Sequence, residues 1–119
     1  MHELAICQSL MSQIEQIALE HDAQCVISIV VGLGQLSGVE AQLLKNAYSI
    51  ASAGTLAENA ELIIQFLPIR VKCNQCGSES EALPNKLLCK QCGDWRTTLI
   101  SGDELLLMSV ELENGRKNN

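Results

Sequence analysis

Apolar positions recur along the first twenty residues at helical spacing. Leu4, Cys7, Leu10, Met11, Ile14, Ile17 and Ala18 fall on one face, with Gln8, Gln13, Glu15, Gln16 and Glu20 on the other. This pattern predicts an amphipathic helix over 4–20. The stretch "CVISIVVGLG" at 25–34 is short, β-branched and apolar on both faces, as a buried strand requires. Ser37 followed three residues later by Glu40 reads as a capping box, opening a second helix over 38–53. Val39, Leu43, Leu44, Ala47, Ile50 and Ala51 would form its apolar stripe, and Gly54 would end it. A second strand is expected over 61–72, where Pro68 marks an edge or a bulge, and a third over 103–113. The closing "NGRKNN" is polar and has nothing to bury.

Strand, helix and strand across 25–72 make a crossover unit, so the first two strands should be parallel neighbours. The expected fold is α+β: a small three-stranded mixed sheet packed with two helices. Between the second and third strands the character of the chain changes. Residues 73–97 hold four cysteines and too few apolar side chains for a core, as in a zinc-ribbon-like module inserted into a strand connection. The body would then be discontinuous, 1–72 and 98–119, interrupted by the module at 73–97.

Composition adds limits. The chain has 119 residues, one Trp, one Tyr and one Phe, so its core must be aliphatic. No segment has the basic leader and apolar run of a signal peptide, and none is apolar enough to span a membrane. A cytoplasmic protein is expected. The net charge is −6, unevenly placed. Residues 70–96 carry Arg70, Lys72, Lys86, Lys90 and Arg96 against Glu79, Glu81 and Asp94, which leaves the body strongly acidic. An acidic body repels nucleic acid and suits cationic ligands such as metal ions.

The cysteines carry the sharpest chemistry. "CNQC" at 73–76 and "CKQC" at 89–92 are each followed by glycine, giving C-x2-C-x12-C-x2-C. The spacing lets two thiolates reach one ion while intervening amides point at the sulfurs, and Gly77 and Gly93 allow the tight turns. Disulfides and a thiol oxidoreductase are the alternatives. A cytosolic setting disfavours the first, and the matched, glycine-flanked pairs favour metal over the second. Cys73, Cys76, Cys89 and Cys92 are therefore expected to bind one zinc, and four thiolates complete its tetrahedral shell. Such a closed site is structural. Cys7 and Cys25 are expected in the core as small hydrophobes.

The amino terminus offers a second donor set. A free α-amine at Met1, the amides of residues 2 and 3, and the ring Nδ1 of His2 can converge on one ion, although a frayed terminus is the ordinary alternative. The first helix joins the first strand through a short turn, so the two run antiparallel. Met1, His2 and Glu3 then return to the end of the domain where Glu40 lies.

Together, "MHE", the amphipathic helix, "VVGLGQLSGVE" and two CxxC pairs ahead of a terminal strand resemble the HypA/HybF family of hydrogenase maturation proteins, over residues 1–113. The resemblance implies a nickel metallochaperone, not an enzyme. It implies Ni(II) as transient cargo held by Met1, His2 and Glu3, with Glu40 at the position of an acidic residue proposed to complete the shell in some members. It further implies a structural Zn(II), delivery to the [NiFe]-hydrogenase large subunit with a HypB-type GTPase, service to urease maturation proteins in some members, and a homodimer as one assembly. Some members place a His just after each CxxC, a potential zinc switch. Here those stretches read "GSES" and "GDWR", so that switch is missing. Ni(II) favours tetragonal nitrogen donors, and the amine, the His2 amide and Nδ1 close adjacent five- and six-membered rings, with the Glu3 amide as a further donor. The competing class is a zinc-ribbon module that binds protein or nucleic acid without nickel chemistry. Its single aromatic, Trp95, serves base stacking poorly.

Overall fold

The computed structural model describes the backbone of residues 2–114 and the side chains of 3–113. Met1, the His2 side chain and the tail beyond Asn114, on which several of the expectations above fall, lie outside the described residues.

The first helix, α1 (His2–Glu20), starts two residues earlier than the apolar pattern indicated and buries Cys7, Leu10, Met11, Ile14 and Ala18. It ends at Glu20; in the turn that follows, Asp22 adopts a left-handed φ of 55° and His21 donates from Nδ1 to the Ile17 carbonyl at 2.9 Å. Strand β1 (Ala23–Gly34) follows. The second helix, α2 (Ala41–Ser52), differs from expectation in two respects. It starts at Ala41 rather than 38, because Gly38 takes a φ of 80° and Glu40 is extended (φ −87°, ψ 130°). Glu40 is thus the N-cap residue itself, and its carboxylate makes no cap hydrogen bond, so the capping box with Ser37 does not form. The buried face is also rotated from the expected stripe. Leu44, Ala47, Tyr48 and Ser52 are buried, whereas Leu43 is half exposed and Ile50 is 68% exposed.

The expected single strand over 61–72 is two strands: β2 (Glu61–Leu67) and β3 (Ile69–Cys73). Pro68 separates them, since proline lacks the N–H that a continuous ladder needs. They join different sheets. Strand β2 lies beside β1, with β6 (Leu105–Asn114) on the other side, in the order β2-β1-β6. Cys25 meets Glu113, Ser28 meets Glu111, and the Gly34 N–H donates to the Glu104 carbonyl at 2.8 Å. The partner numbers fall as β1 advances, so β1 and β6 are antiparallel. Strand β3 pairs antiparallel with β4 (Glu79–Ala82) and with β5 (Thr97–Ser101), giving a second three-stranded sheet, β4-β3-β5. Two helices with a three-stranded sheet and a cysteine-bearing module are the expected α+β fold, and the strands of that module are an addition to it.

The chain divides into two compact units. The first draws on Met1–Val31, Val39–Ile64 and Leu107–Asn119, and the second on Gly32–Gly38 and Gln65–Leu106. In the first, α1 packs on α2, and Val26, Ile29 and Val31 from β1 join Leu10, Ile14 and Leu44 in an aliphatic core. Burying each large aliphatic side chain contributes about 1.5–3 kcal/mol. The Tyr48 hydroxyl donates to the Ala57 carbonyl at 3.0 Å, and the Cys7 thiol to that of Leu44 at 3.5 Å. In the second unit the apolar core is small: Leu33, Ile69 and Val71, with Cys73 and Cys89. Two glycines set its backbone spacing. A Cβ on Gly34 would be driven into the Gly102 carbonyl, and Gly102 itself has a φ of 122° with Ile69 against it.

Candidate metal centre

The two CxxC segments fold into the same backbone knuckle twice. In residues 73–78, the Gly77 N–H donates to the Cys73 carbonyl at 3.0 Å and the Cys73 N–H to the Ser78 carbonyl at 2.9 Å. In residues 89–94, the Gly93 N–H donates to the Cys89 carbonyl at 2.8 Å and the Cys89 N–H to the Asp94 carbonyl at 3.0 Å. Gly77 and Gly93 have φ values of 79° and 78°, a left-handed conformation that disfavours side chains. The first sulfur of each knuckle accepts two amides. Gln75 and Cys76 donate to Cys73 Sγ at 3.3 and 3.4 Å, and Gln91 and Cys92 donate to Cys89 Sγ at the same distances.

The four sulfurs converge. Cys73 and Cys92 Sγ are 3.6 Å apart, as are Cys76 and Cys89 Sγ, and all four lie within 4.8 Å of one another. A disulfide would need about 2.05 Å, and all the cysteines are free. With Zn–S bonds of about 2.3 Å, a tetrahedral ZnS4 has sulfurs about 3.8 Å apart, which these positions fit closely. Cys73 and Cys89 are buried and Cys76 and Cys92 exposed, so each knuckle contributes one inner and one outer thiol.

Four thiols this close cannot all ionise without a cation. Hydrogen bonds from the Ser78 hydroxyl and amide, with help from Cys89 and Cys73, pull Cys76 down to about 6. Cys92 also accepts the Asp94 amide, which lowers it, but the neighbouring thiols and desolvation outweigh this and push it up to about 12. A divalent cation removes the conflict by binding all four as thiolates.

The surroundings of the knuckles were not foreseen from the cysteine spacing. Asp94 holds Arg96 through three contacts: Arg96 N–H to Oδ1 at 2.8 Å, Nε to Oδ1 at 2.9 Å and Nη2 to Oδ2 at 2.8 Å. The fork of hydrogen bonds from Arg96 holds the Asp94 carboxyl down at about 2. Asp94 in turn raises Arg96, and the charges of Cys73 and Cys92 add to that. The Arg96 guanidinium also lies 5.8 Å from the ring centre of Trp95, which is 73% exposed. The doubled hexapeptide, CNQCGS against CKQCGD, was the available signal, since it sets Asp94 opposite Ser78.

The amino-terminal donor set is described only in part. Glu3 is half buried in the first turn of α1, and Glu40 is exposed at the N-cap of α2. Each stands one helical turn ahead of the Cys7–Leu44 contact, so the structure brings both helix starts toward one end of the first unit. Burial, with the Glu3 charge added, pushes the Cys7 thiol up to about 11, as expected of a core residue. Cys25 differs from expectation. It is half buried at the start of β1 and donates to Glu113 Oε1 at 3.5 Å, rather than lying in the core.

Two helices beside a three-stranded sheet, with paired cysteine knuckles on a second sheet, define a small α+β metal-binding protein. The family described as "Hydrogenase/urease nickel incorporation, metallochaperone, hypA" matches residues 1–112, and the chain belongs to this HypA family. It is 52% identical over 112 residues to the hydrogenase maturation factor HypA of Nitrosospira multiformis, covering 94% of this chain and 97% of that relative. It is 46% identical over 113 residues to the HypA of Aquifex aeolicus, covering 95% and 98%. In fold it is similar to the solution structure of the Ni metallochaperone HypA from Helicobacter pylori, with a TM-score of 0.72 at 23% identity over 94% of this chain and 97% of that one. The family is one of nickel metallochaperones for hydrogenase maturation. No helix among the described residues is long and apolar enough to cross a membrane.

Proposed function

We propose that the protein carries Ni(II) at its amino terminus during hydrogenase maturation, while a zinc ion held by Cys73, Cys76, Cys89 and Cys92 shapes the second unit. The observation that carries this reading is the family match over residues 1–112, which takes in "MHE" and all four cysteines. The fold supports it. Because α1 starts at His2, the first amides of the chain have no intrahelical acceptor. They are free to become metal donors beside the α-amine and His2 Nδ1. Glu40 has no capping duty, so its carboxylate is available as a further ligand. The ion is cargo for the [NiFe]-hydrogenase large subunit, handed over with a HypB-type GTPase. The same delivery chemistry extends to urease. Nothing in this scheme requires the protein to catalyse a reaction.

The zinc site does separate work. Bound zinc would supply a closed tetrahedral anchor, while the chain's own amides and the Ser78 hydroxyl hold the sulfurs in place. The test is nickel titration of the untagged, zinc-loaded protein at fixed pH. One residue added ahead of Met1 turns the amine into an amide and displaces the new amine from chelate register. Binding should weaken severely in that protein and in His2→Ala, with zinc content and circular dichroism unchanged. An extended protein that titrates like the native chain would refute the amine as a ligand. Affinity should also rise with pH, because binding displaces protons.

A further inference from the structure

The two knuckles are equivalent in backbone but not in how their outer sulfur is balanced. In the first, the residue after the glycine is Ser78, whose hydroxyl can donate to Cys76. In the second, the same place is taken by Asp94, a carboxylate that has no proton to offer Cys92. Left alone, an acid beside a four-thiolate centre would repel it. ZnS4 carries a formal charge of −2, and the carboxylate would add to that field. The structure instead turns the carboxylate onto Arg96 through two side-chain hydrogen bonds and one backbone bond, all at 2.8–2.9 Å.

Arg96 is also tied to the other knuckle. Its carbonyl accepts the Asn74 N–H at 2.8 Å, and the next residue, Thr97, is the β-ladder partner of Cys73. Asp94, for its part, accepts the Cys89 N–H. The pair therefore joins a ligand residue of one knuckle to the residue following a ligand in the other. It also keeps a permanent cation within electrostatic reach of Cys73 and Cys92. Arginine keeps its charge at any relevant pH, and its planar fork fits a carboxylate in two-point contact.

We propose that Asp94 and Arg96 form a counter-charge latch for the four-thiolate centre: Arg96 is the positioning residue that balances the metal–sulfur charge and locks the second knuckle to the first. The proposal rests on the zinc reading given above. Partners outside a metal's ligand shell commonly alter metal affinity by about 10–100-fold, and the latch should act through the rate of zinc loss.

The test uses the full, zinc-loaded chain and follows zinc transfer to an excess of a chromogenic chelator. Arg96→Gln takes the cation away from the Asp94 carboxylate, which keeps only the residue 96 N–H, and should speed zinc loss about tenfold. Arg96→Lys retains the cation without the fork and should fall between. The decisive variant is Asp94→Ser combined with Arg96→Gln. It removes the stranded carboxylate and restores the hydroxyl found at Ser78, so it should lose zinc more slowly than Arg96→Gln alone. A merely structural ion pair would give no such rescue. If Arg96→Gln releases zinc at the native rate, or the double variant is no slower than the single, the latch is overturned while the zinc reading stands. Native protein isolated with no zinc would overturn both.

Discussion

The two units solve the same stability problem with different materials. The first has a continuous aliphatic core, where Ile14, Ile29, Val31 and Leu44 are fully buried and two helices lend their apolar faces. The second has Leu33, Ile69 and Val71 and little else, and its two remaining buried apolar positions are cysteines. So few aliphatic side chains do not offset the ordering cost of nearly fifty residues, which runs to about 1–2 kcal/mol per residue for the backbone alone. On the proposed zinc reading, metal binding and folding are one equilibrium in the second unit, whereas the first holds together by apolar burial. This division suits a carrier. On the proposed reading, a structural ion held in the second unit would leave the amino terminus free to gain and lose a different ion.

The largest expected effect comes from removing the metal ligand set. Cys89→Ala opens the thiolate shell and should cost the second unit most of its metal-derived folding energy, which for small zinc domains is on the order of 10 kcal/mol. Amide exchange should show residues 73–94 losing protection while α1 and α2 keep theirs. Simultaneous loss in both units would break the distinction drawn above.

The converse substitution lies in the aliphatic core. Ile29→Ala leaves a cavity at a fully buried site and should destabilise the protein by about 2–5 kcal/mol. Thermal unfolding should register this, with zinc still bound at one per chain in the folded protein. Loss of zinc from the folded variant would mean the units are not independent.

Gly34→Ala tests whether the second unit depends on anything but sulfur. The added Cβ meets the Gly102 carbonyl, and relief requires the backbone to shift, at a cost of about 1–3 kcal/mol. The lowered melting temperature should persist at saturating zinc. Full rescue by excess zinc would argue that the metal alone organises this unit.

The smallest effect on stability is expected at the helix start. Glu40→Gln removes a charge that caps nothing and should change stability by less than about 0.5 kcal/mol. Nickel affinity should nonetheless fall. An unchanged nickel isotherm would remove Glu40 from the ligand set without disturbing the rest.

Periodicity and spacing made much of this legible in advance. The α1 stripe at 7, 10, 11, 14 and 18 is buried as its spacing demanded, because a helix that long has one face to hide. The two CxxC spacings marked Cys73, Cys76, Cys89 and Cys92 as one group, and their sulfurs do converge to within 4.8 Å of one another. These features depend on neighbours within about a dozen residues.

Other features needed the folded chain. Pro68 announced a disturbance in a strand, but only the assembled sheets show that the residues on its two sides pair with different partners. On α2, Leu43 and Ile50 are as apolar as Leu44, and the choice of Tyr48 and Ser52 for the buried face comes from the packing of α1 against it. Glu40 had the right distance from Ser37 for a capping box, and the left-handed turn at Gly38 moved the helix start past it. Asp94 and Arg96 are ordinary surface charges in a linear chain. They acquire meaning only in the folded module, where Asp94 holds Arg96 at 2.8–2.9 Å beside the second knuckle. Spacing along a chain encodes which local conformation is cheap, whereas burial and charge are settled by groups far apart in the chain that meet only in the folded protein.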